Sequence, residues 1–136
     1  MAVVEELLRS EKDGAISFGN HLLANKAKAE DFEHCGDLYK VKTYKAMTKL
    51  ERNGMFAYES VPGTSVLNFS ETADGVSFMV SGEEDAQITL GLEEDTEYEV
   101  FIDGKSIGKM KTNLGGKMNI SVELGANQEV GIKVTR

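Results

Sequence analysis

A chain of 136 residues, of which 40% are hydrophobic, can bury a core as one domain or as two small ones. Its net charge of −8 argues against a nucleic-acid ligand, because binding to a phosphate backbone needs clustered Lys and Arg. The sequence also has no apolar run of the ~18–20 residues that span a membrane. Its single Cys35 cannot form an internal disulfide, and residues 1–6 do not resemble a secretory leader. These features predict a cytoplasmic protein.

The residue pattern predicts an all-β fold built from antiparallel hairpins. Gly occurs 14 times and Pro once, and short runs of alternating apolar and polar residues recur along the chain. The N-terminal segment differs, since Val3, Val4, Leu7 and Leu8 stand at helical spacing. One short helix that packs on the core is therefore favoured over a strand there, and residues 15–18 are expected to be extended.

A first hairpin is predicted from residues 28–35 and 38–44 around Gly36-Asp37, a pair that suits a type II′ turn. Its register gives one charged face and one apolar face, as a half-buried antiparallel sheet requires. The predicted opposite pairs are Glu33 with Lys40, Asp31 with Lys42, Phe32 with Val41, and His34 with Tyr39.

A second hairpin is predicted from residues 47–52 and 55–60 around Asn53-Gly54. Val61-Pro62-Gly63 follows, and Pro cannot donate to a central strand ladder. We therefore divide the chain into an N-terminal β-hairpin subdomain, residues 1–62, and a second unit, residues 63–136. The two units are expected to pack together, because so short a β half buries little surface alone.

The second unit is predicted to be an immunoglobulin-like or fibronectin III-like sandwich, a fold that usually takes about 100 residues. Its candidate strands are residues 65–70, 76–81, 86–92, 96–102, 105–112, 117–124 and 129–135. Because this unit is shorter than such sandwiches, either its strands are short or the first half of the chain completes its core.

One stretch of this unit resembles the tyrosine corner of fibronectin type III domains. Leu92, Thr96, Tyr98 and Val100 stand at the spacing Leu-x-x-x-Thr-x-Tyr-x-Val. The resemblance implies that Tyr98 is buried and that its hydroxyl binds backbone a few residues upstream.

Asp103-Gly104 follows this stretch and predicts a type I′ hairpin turn. A two-residue loop there would place Val100 opposite Ile107 and Phe101 opposite Ser106.

The chain shows no catalytic or metal-binding motif. His34-Cys35 are adjacent strand residues and would point to opposite faces, and no further Cys or His stands at zinc spacing. A structural role is expected for His34, packed beside Tyr39, and Cys35 is expected to be a small edge or core residue. No metal or cofactor is predicted.

Two acidic clusters, residues 83–85 and 93–95, do not form one site. Residues 86–92 separate them by roughly 20 Å of extended chain, too far for a calcium cage or for a glycosidase acid–base pair. Solvated turns are the expected role. The glycines between Gly104 and Gly116 follow turn chemistry and match no phosphate-binding loop.

Tyr39, Tyr44 and Tyr58 are the speculative binding residues of the first half. An exposed set of rings could stack against sugars, and burial in the strand core is the alternative.

A resemblance extends over most of the chain. The runs LYKVKT (38–43), KLERNGMF (49–56), YESVPGT (58–64), VFIDGK (100–105) and TNLGG (112–116) resemble a family of short bacterial proteins often labelled endosialidase. The label implies a sialidase, yet Arg9, Arg52 and Arg136 are the only arginines, and the chain is far shorter than a propeller. The repeated motif Ser-x-Asp-x-Gly-x-Thr-Trp is also missing, so no catalytic residue carries over.

The sequence therefore predicts a non-catalytic structural or protein-interaction β module, with self-association through sheet edges. A small glycan-binding module is the alternative. Neither nucleic acid nor membrane is an expected partner, and no enzyme activity is expected.

Overall fold

The computed structural model describes residues 3–125 and 128–136. Within these residues the chain forms strands joined by turns and loops. The strands are β1 Leu8–Ser10, β2 Ile16–Phe18, β3 Ala27–His34, β4 Asp37–Tyr44, β5 Met47–Arg52, β6 Met55–Val61, β7 Ser65–Thr72, β8 Gly75–Ser81, β9 Ala86–Gly91, β10 Glu97–Ile102, β11 Lys105–Lys111, β12 Lys117–Val122 and β13 Val130–Thr135. No helix capable of crossing a membrane occurs in either described range.

The strands form two antiparallel sheets that pack on each other, which confirms the predicted all-β class. Sheet I has seven strands in the order β1-β2-β7-β8-β13-β10-β11. Sheet II has six strands in the order β12-β9-β6-β5-β4-β3. Buried apolar residues of both sheets belong to a single core cluster.

Aromatic rings lie at the centre of this core. Tyr58 extends from sheet II, while Phe18, Phe69 and Phe78 extend from sheet I. The ring of Tyr58 is 5.2 Å from Phe18 and 5.7 Å from Phe78, centroid to centroid, in edge-to-face contacts. Such contacts add to the burial free energy and hold the two sheets in a defined relative position.

The predicted boundary at residue 62 does not separate two layers. Strand β2 pairs with β7 and β6 pairs with β9, so both sheets contain strands from both sides of that residue. Residues 63–136 form the seven strands expected of them, but five lie in sheet I and only β9 and β12 lie in sheet II. Strands β3 to β6 complete sheet II.

The predicted N-terminal helix is wrong. Leu7 has a φ of 72°, which ends any helical turn, and β1 begins at Leu8. Val4 is buried, and its N–H donates to the carbonyl of Gly19. The apolar residues instead belong to an irregular segment that pairs beside β2. A short helix is costly to nucleate, and the backbone hydrogen bonds to Gly19 favour the irregular path.

The β3–β4 hairpin forms with a shifted turn. Cys35 and Gly36 are the central residues, with φ values of 51° and 84°, so the turn has the positive φ pair of type I′ rather than the predicted Gly36-Asp37 geometry. Phe32 therefore faces Tyr39. A shift by two residues keeps Phe32, Glu33 and His34 on their predicted faces, because the strand period is two.

The predicted ion pairs of this hairpin are replaced, since a bulge at Asp31 shifts the register again. The carboxylate of Glu30 lies 3.9 Å from Lys28 and 3.9 Å from Lys40. The ring of His34 does pack beside Tyr39, at 6.1 Å between centroids.

The other two predicted turns are confirmed. Asn53-Gly54 and Asp103-Gly104 both have positive φ at both positions. Phe101 faces Ser106 as predicted, but Val100 faces Gly108 rather than Ile107. A bulge makes Ile107 the extra residue, and Gly108 adopts the φ of 110° that the bulge requires.

The tyrosine corner joins β9 of sheet II to β10 of sheet I. Tyr98 is 2% exposed, and its hydroxyl accepts a hydrogen bond from the backbone N–H of Glu93 at 3.2 Å. Thr112 binds the same corner, since its hydroxyl donates to the carbonyl of Glu93 and accepts from the N–H of Thr96. The predicted corner is confirmed, and it fixes the loop where the chain changes sheets.

Candidate functional site

The three tyrosines do not share an exposed surface. Tyr58 is fully buried, and its hydroxyl lies 2.7 Å from the hydroxyl of Thr64. Tyr39 is 7% exposed, and burial raises the pKa of its phenol. Tyr44 is half-buried beneath Lys26. Burial of Tyr39 and Tyr58 corresponds to the core-packing alternative and removes these two rings from any stacking platform.

His34 has a protein partner at both ring nitrogens. Nδ1 lies 2.8 Å from the hydroxyl of Ser10, and Nε2 lies 2.9 Å from the carbonyl oxygen of Gly14. Because a carbonyl only accepts, Nε2 donates its proton there and Nδ1 accepts from Ser10. His34 therefore connects the β3–β4 hairpin to residues 10–14, while Cys35 is exposed in the turn. In residues 3–125 and 128–136, no three His, Cys, Asp or Glu side chains are close enough to hold a metal ion.

A buried network of hydroxyl groups lies at the end of the sandwich near Gly63. Thr64 lies at its centre, since Tyr58 and Ser60 both contact its hydroxyl at 2.7 Å, and its carbonyl accepts from the hydroxyl of Thr48. These residues are fully buried. The network gives every one of these hydroxyls a partner, as burial of polar groups requires.

His21 extends this polar region toward Ser65. Its Nδ1 lies 2.7 Å from the hydroxyl of Ser65, and the residue is 2% exposed. Burial lowers the pKa of the imidazole, and the carboxylate of Glu83 offsets this only in part. The role of His21 has no signal in the sequence, because the serine that binds it is 44 residues away.

The edge strands of the two sheets differ in how well they are protected against pairing with a further strand. Strand β1 spans only Leu8–Ser10, β3 has the Asp31 bulge among acidic residues, and β11 has the Gly108 bulge and three lysines. Short length, bulges and charges all disfavour edge pairing. Three of the four edge strands are therefore blocked.

Strand β12 is the fourth edge, and it has no bulge and only one charged residue, Lys117 at its start. It pairs with β9 over six regular positions, and no described strand pairs with its other side. Met118, Ile120 and Val122 are buried, while Lys117, Asn119 and Ser121 are exposed. The exposed side chains are fixed by hydrogen bonds to β9, from Thr89 to Asn119 and between Gln87 and Ser121. The backbone N–H and C=O of Lys117 already bind Asn113, so a further strand could pair with this edge from Asn119 onward.

A polar cleft of about 540 Å³ opens at the end of the sandwich that carries the Asn53-Gly54 turn. Arg52 enters it from sheet II and Glu71 from sheet I. Tyr98 and Leu92 line its inner part, and Lys117 lines its rim. Both sheets thus contribute polar groups to one cavity, and converging polar groups are one feature of small-molecule sites.

Glu71 is the most unusual residue of the cleft. Its Oε1 lies 3.5 Å from Nη1 of Arg52, which is an ion-pair distance, yet this atom is buried and accepts no hydrogen bond from the described residues. Burial raises the pKa of Glu71, while Arg52 acts in the opposite direction. The charge of Glu71 in turn raises the pKa of Arg52. The guanidinium thus offsets only part of the cost of burying the carboxylate.

The rim of the cleft is formed on the outer face of sheet II. The ring of Phe56 packs over Gly91, where an added Cβ would lie 2.3 Å from the carbonyl oxygen of Phe56. Nζ of Lys117 is 4.7 Å from the ring centroid, and Nζ of Lys49 is 5.9 Å from it. Cation–π contacts hold these ammonium groups beside the opening.

The acidic clusters lie at opposite ends of β9, as predicted. Glu93 and Glu94 line the cleft, whereas Asp85 accepts a hydrogen bond from the N–H of Leu124 beyond the other end of the strand. Only one cluster therefore contributes charge to the cleft.

A second groove, of about 530 Å³, lies on the outer face of sheet I. Met79, Phe101 and Ile132 are among its lining residues, and Gly131 leaves its floor without a side chain. The groove lacks a buried charged pair like that of the cleft, so the cleft is the better small-molecule candidate.

Sequence reasoning missed Arg52 and Glu71 because they lie on strands of different sheets. A signal was present, since Arg52 follows buried Leu50 by two residues and Glu71 follows buried Phe69 by two. A charged residue at an inward-facing position of a strand indicates either an open end or a buried pair.

Comparisons of the chain with protein-family models, with curated proteins and with solved structures give no match. The resemblance to proteins labelled endosialidase therefore stays a prediction from the sequence.

Proposed function

We propose that the chain is a non-catalytic structural β module that assembles with a second copy of itself through β12. The observation that supports this most directly is that β12 is a regular edge strand with one strand neighbour among the described residues, and that its sequence is complementary to itself. We place this assembly in the reducing cytoplasm, where the exposed thiol of Cys35 would stay reduced.

The complementarity follows from antiparallel pairing about a twofold axis through Ile120. In that register Met118 faces Val122 of the second copy, and Asn119 faces Ser121. Lys117 faces Glu123, which continues the exposed side of the strand. Apolar side chains meet apolar ones, and opposite charges meet at both ends of the pair.

Sheet II would then continue from one copy into the next. Backbone hydrogen bonds of Asn119 and Ser121 provide the attraction, as in other cases of strand addition. Exposed ion pairs contribute only about 0.2–1 kcal/mol each, so the two Lys117–Glu123 pairs select the register more than they add affinity. Each copy also has a net charge of −8, so we expect a weak dimer that added salt strengthens.

A charge exchange tests the register. Lys117→Glu would place two glutamates opposite each other at both ends of the pair, and Glu123→Lys would place two lysines there. We expect each single variant to weaken dimerisation roughly 2- to 30-fold, from two unfavourable pairs of about 0.2–1 kcal/mol each. The double variant restores opposite charges and should recover the wild-type affinity, as measured by analytical ultracentrifugation.

The matched control is Lys105→Glu, which makes the same charge change on the blocked edge strand β11. It should leave dimerisation as in the wild type apart from the effect of net charge. A chain that stays monomeric at every concentration would refute the proposal. A double variant that dimerises no better than the single variants would refute the register.

A further inference from the structure

We infer that the cleft between Arg52 and Glu71 binds an uncharged polyhydroxylated ligand of the saccharide class. This binding does not require the proposed self-association, although Lys117 belongs both to the cleft and to β12.

The first argument comes from hydrogen bonding inside the cleft. Oε1 of Glu71 is buried and accepts no hydrogen bond from the described residues, while the guanidinium of Arg52 lies 3.5 Å away with several N–H donors. The cleft thus presents an acceptor and donors side by side. A hydroxyl group can donate to the carboxylate and accept from the guanidinium, so neighbouring hydroxyls of one ligand would match both groups.

The second argument comes from the charges that line the cleft. Arg52 and Lys117 are cationic, whereas Glu71, Glu93 and Glu94 are anionic. An anionic ligand would meet three carboxylates on a chain of net charge −8. A cationic ligand would compete with Arg52, which already lies beside Glu71. Both kinds of charged ligand are disfavoured, whereas hydroxyl groups interact with either sign of charge.

The third argument is shape and preorganisation. The cleft, at about 540 Å³, lies within the roughly 300–1,000 Å³ typical of small-molecule sites. Its inner wall is Tyr98, whose position is fixed by the hydrogen bond to the backbone of Glu93. Fixed polar groups on two rigid sheets lower the entropy cost of binding.

The test is a titration of the ¹⁵N-labelled full chain with D-glucose, D-galactose, N-acetyl-D-glucosamine and maltose. We expect at least one sugar to shift the amide signals of Arg52, Glu71 and Leu92, with a Kd of about 0.1–10 mM. Sodium acetate and ethylammonium chloride are the charged probes, and neither should produce shifts confined to this cleft. Stronger cleft binding of either charged probe than of every sugar would overturn the inference.

Two variants separate the cleft from the rest of the surface. Ala73→Leu adds bulk to an exposed residue that lines the cleft, and it should weaken sugar binding at least about 10-fold. Ala24→Leu makes the same change at an exposed position toward the other end of the strands and should leave binding unchanged. Glu71→Gln keeps the shape of the side chain but removes the charged acceptor, so binding should weaken as well.

Each variant is first checked for a native amide spectrum, so that lost binding is not mistaken for unfolding. The inference fails if none of the sugars shifts the cleft amides. It also fails if Ala73→Leu and Ala24→Leu bind sugar equally well.

Discussion

Tyr98 shows how one side chain can stabilise a connection between two sheets. Its ring is buried under the β9–β10 corner, and its hydroxyl accepts from the N–H of Glu93. Tyr98→Phe keeps the ring and removes the hydroxyl. We expect a loss of about 0.5–1.5 kcal/mol in the free energy of unfolding, the net worth of one hydrogen bond, measured by urea denaturation.

The control for this prediction is Tyr44→Phe, because Tyr44 is half-buried at the surface near Lys26. It should change stability by less than the Tyr98 variant does. Equal stability of wild type and Tyr98→Phe would show that the corner does not depend on this hydrogen bond.

His21 should make stability depend on pH. Burial lowers the pKa of its imidazole in the folded protein below the usual 6.5, so the folded state takes up a proton less readily than the unfolded state does. As pH falls below 6.5, the unfolded state binds more protons, and the free energy of unfolding decreases. We expect urea midpoints to fall between about pH 7.5 and about pH 5.5.

The matched variant is His21→Gln, which cannot titrate in this range. Its urea midpoint should change less over the same pH interval than that of the wild type. If both proteins lose the same stability on acidification, His21 is not the group responsible.

The structural roles of single residues differ in how well they could be predicted from the sequence. Tyr98 was predictable because its corner is local, with the bonded backbone only five residues upstream. Glu71 and Arg52 were not, because their proximity depends on how two sheets stack. Thr64 gave no signal either, since a buried threonine and an exposed one look the same in a sequence.

At the scale of elements, the β3–β4 turn holds an ordinary side chain in a conformation that few residues favour. Cys35 has a φ of 51° and occupies the first central position of the turn. Asn adopts this region far more readily than Cys does. We expect Cys35→Asn to raise the free energy of unfolding by about 0.5–1 kcal/mol, measured by urea denaturation.

The control is Cys35→Ser, which keeps the size of the side chain and gains little at positive φ. It should match the wild type within a few tenths of a kcal/mol, because the residue is exposed. A Cys35→Asn variant no more stable than Cys35→Ser would contradict a conformational cost at this turn.

The elements were predictable where glycine marked the turn and less so where another residue adopts positive φ. The hairpin turns at Asn53-Gly54 and Asp103-Gly104 were predictable from their sequences. The β3–β4 turn begins at Cys35, one residue before the predicted position, and a cysteine does not indicate a turn. The bulge at Asp31 likewise depends on a residue that gives no signal in the sequence. The presence of a strand can be predicted from alternating apolar and polar residues. The register of the strand depends on local exceptions such as the Cys35 turn and the Asp31 bulge.

Neither half of the chain, residues 1–62 or residues 63–136, forms both sheets of the sandwich completely by itself. Tyr58 belongs to the first half, and its ring packs on Phe69 and Phe78 of the second. Strand β6 forms the ladder with β9 that connects β12 to the rest of sheet II. The sequence indicated two units because Pro62 separates two sets of hairpins, and it could not show that the sets interleave.

This interleaving predicts that the chain folds as one cooperative unit. Residues 63–136 alone would keep only β9 and β12 of sheet II and would expose Phe69 and Phe78. A two-stranded sheet is marginally stable in water at best. We expect separately expressed fragments 1–62 and 63–136 to give poorly dispersed amide NMR spectra, and the full chain to unfold in one transition seen equally by circular dichroism and tyrosine fluorescence.

Mixing the two fragments provides the control, because complementary pieces can recover the β2–β7 and β6–β9 ladders together. An equimolar mixture that regains the dispersed spectrum of the full chain would show that each fragment can fold once its missing strands are present. A well-dispersed spectrum from fragment 63–136 alone would instead mean that five strands of sheet I and two strands of sheet II are enough for a stable fold. In that case strands β3 to β6 would be an addition to an independent sandwich, and the shared aromatic core would not be what holds the two layers together.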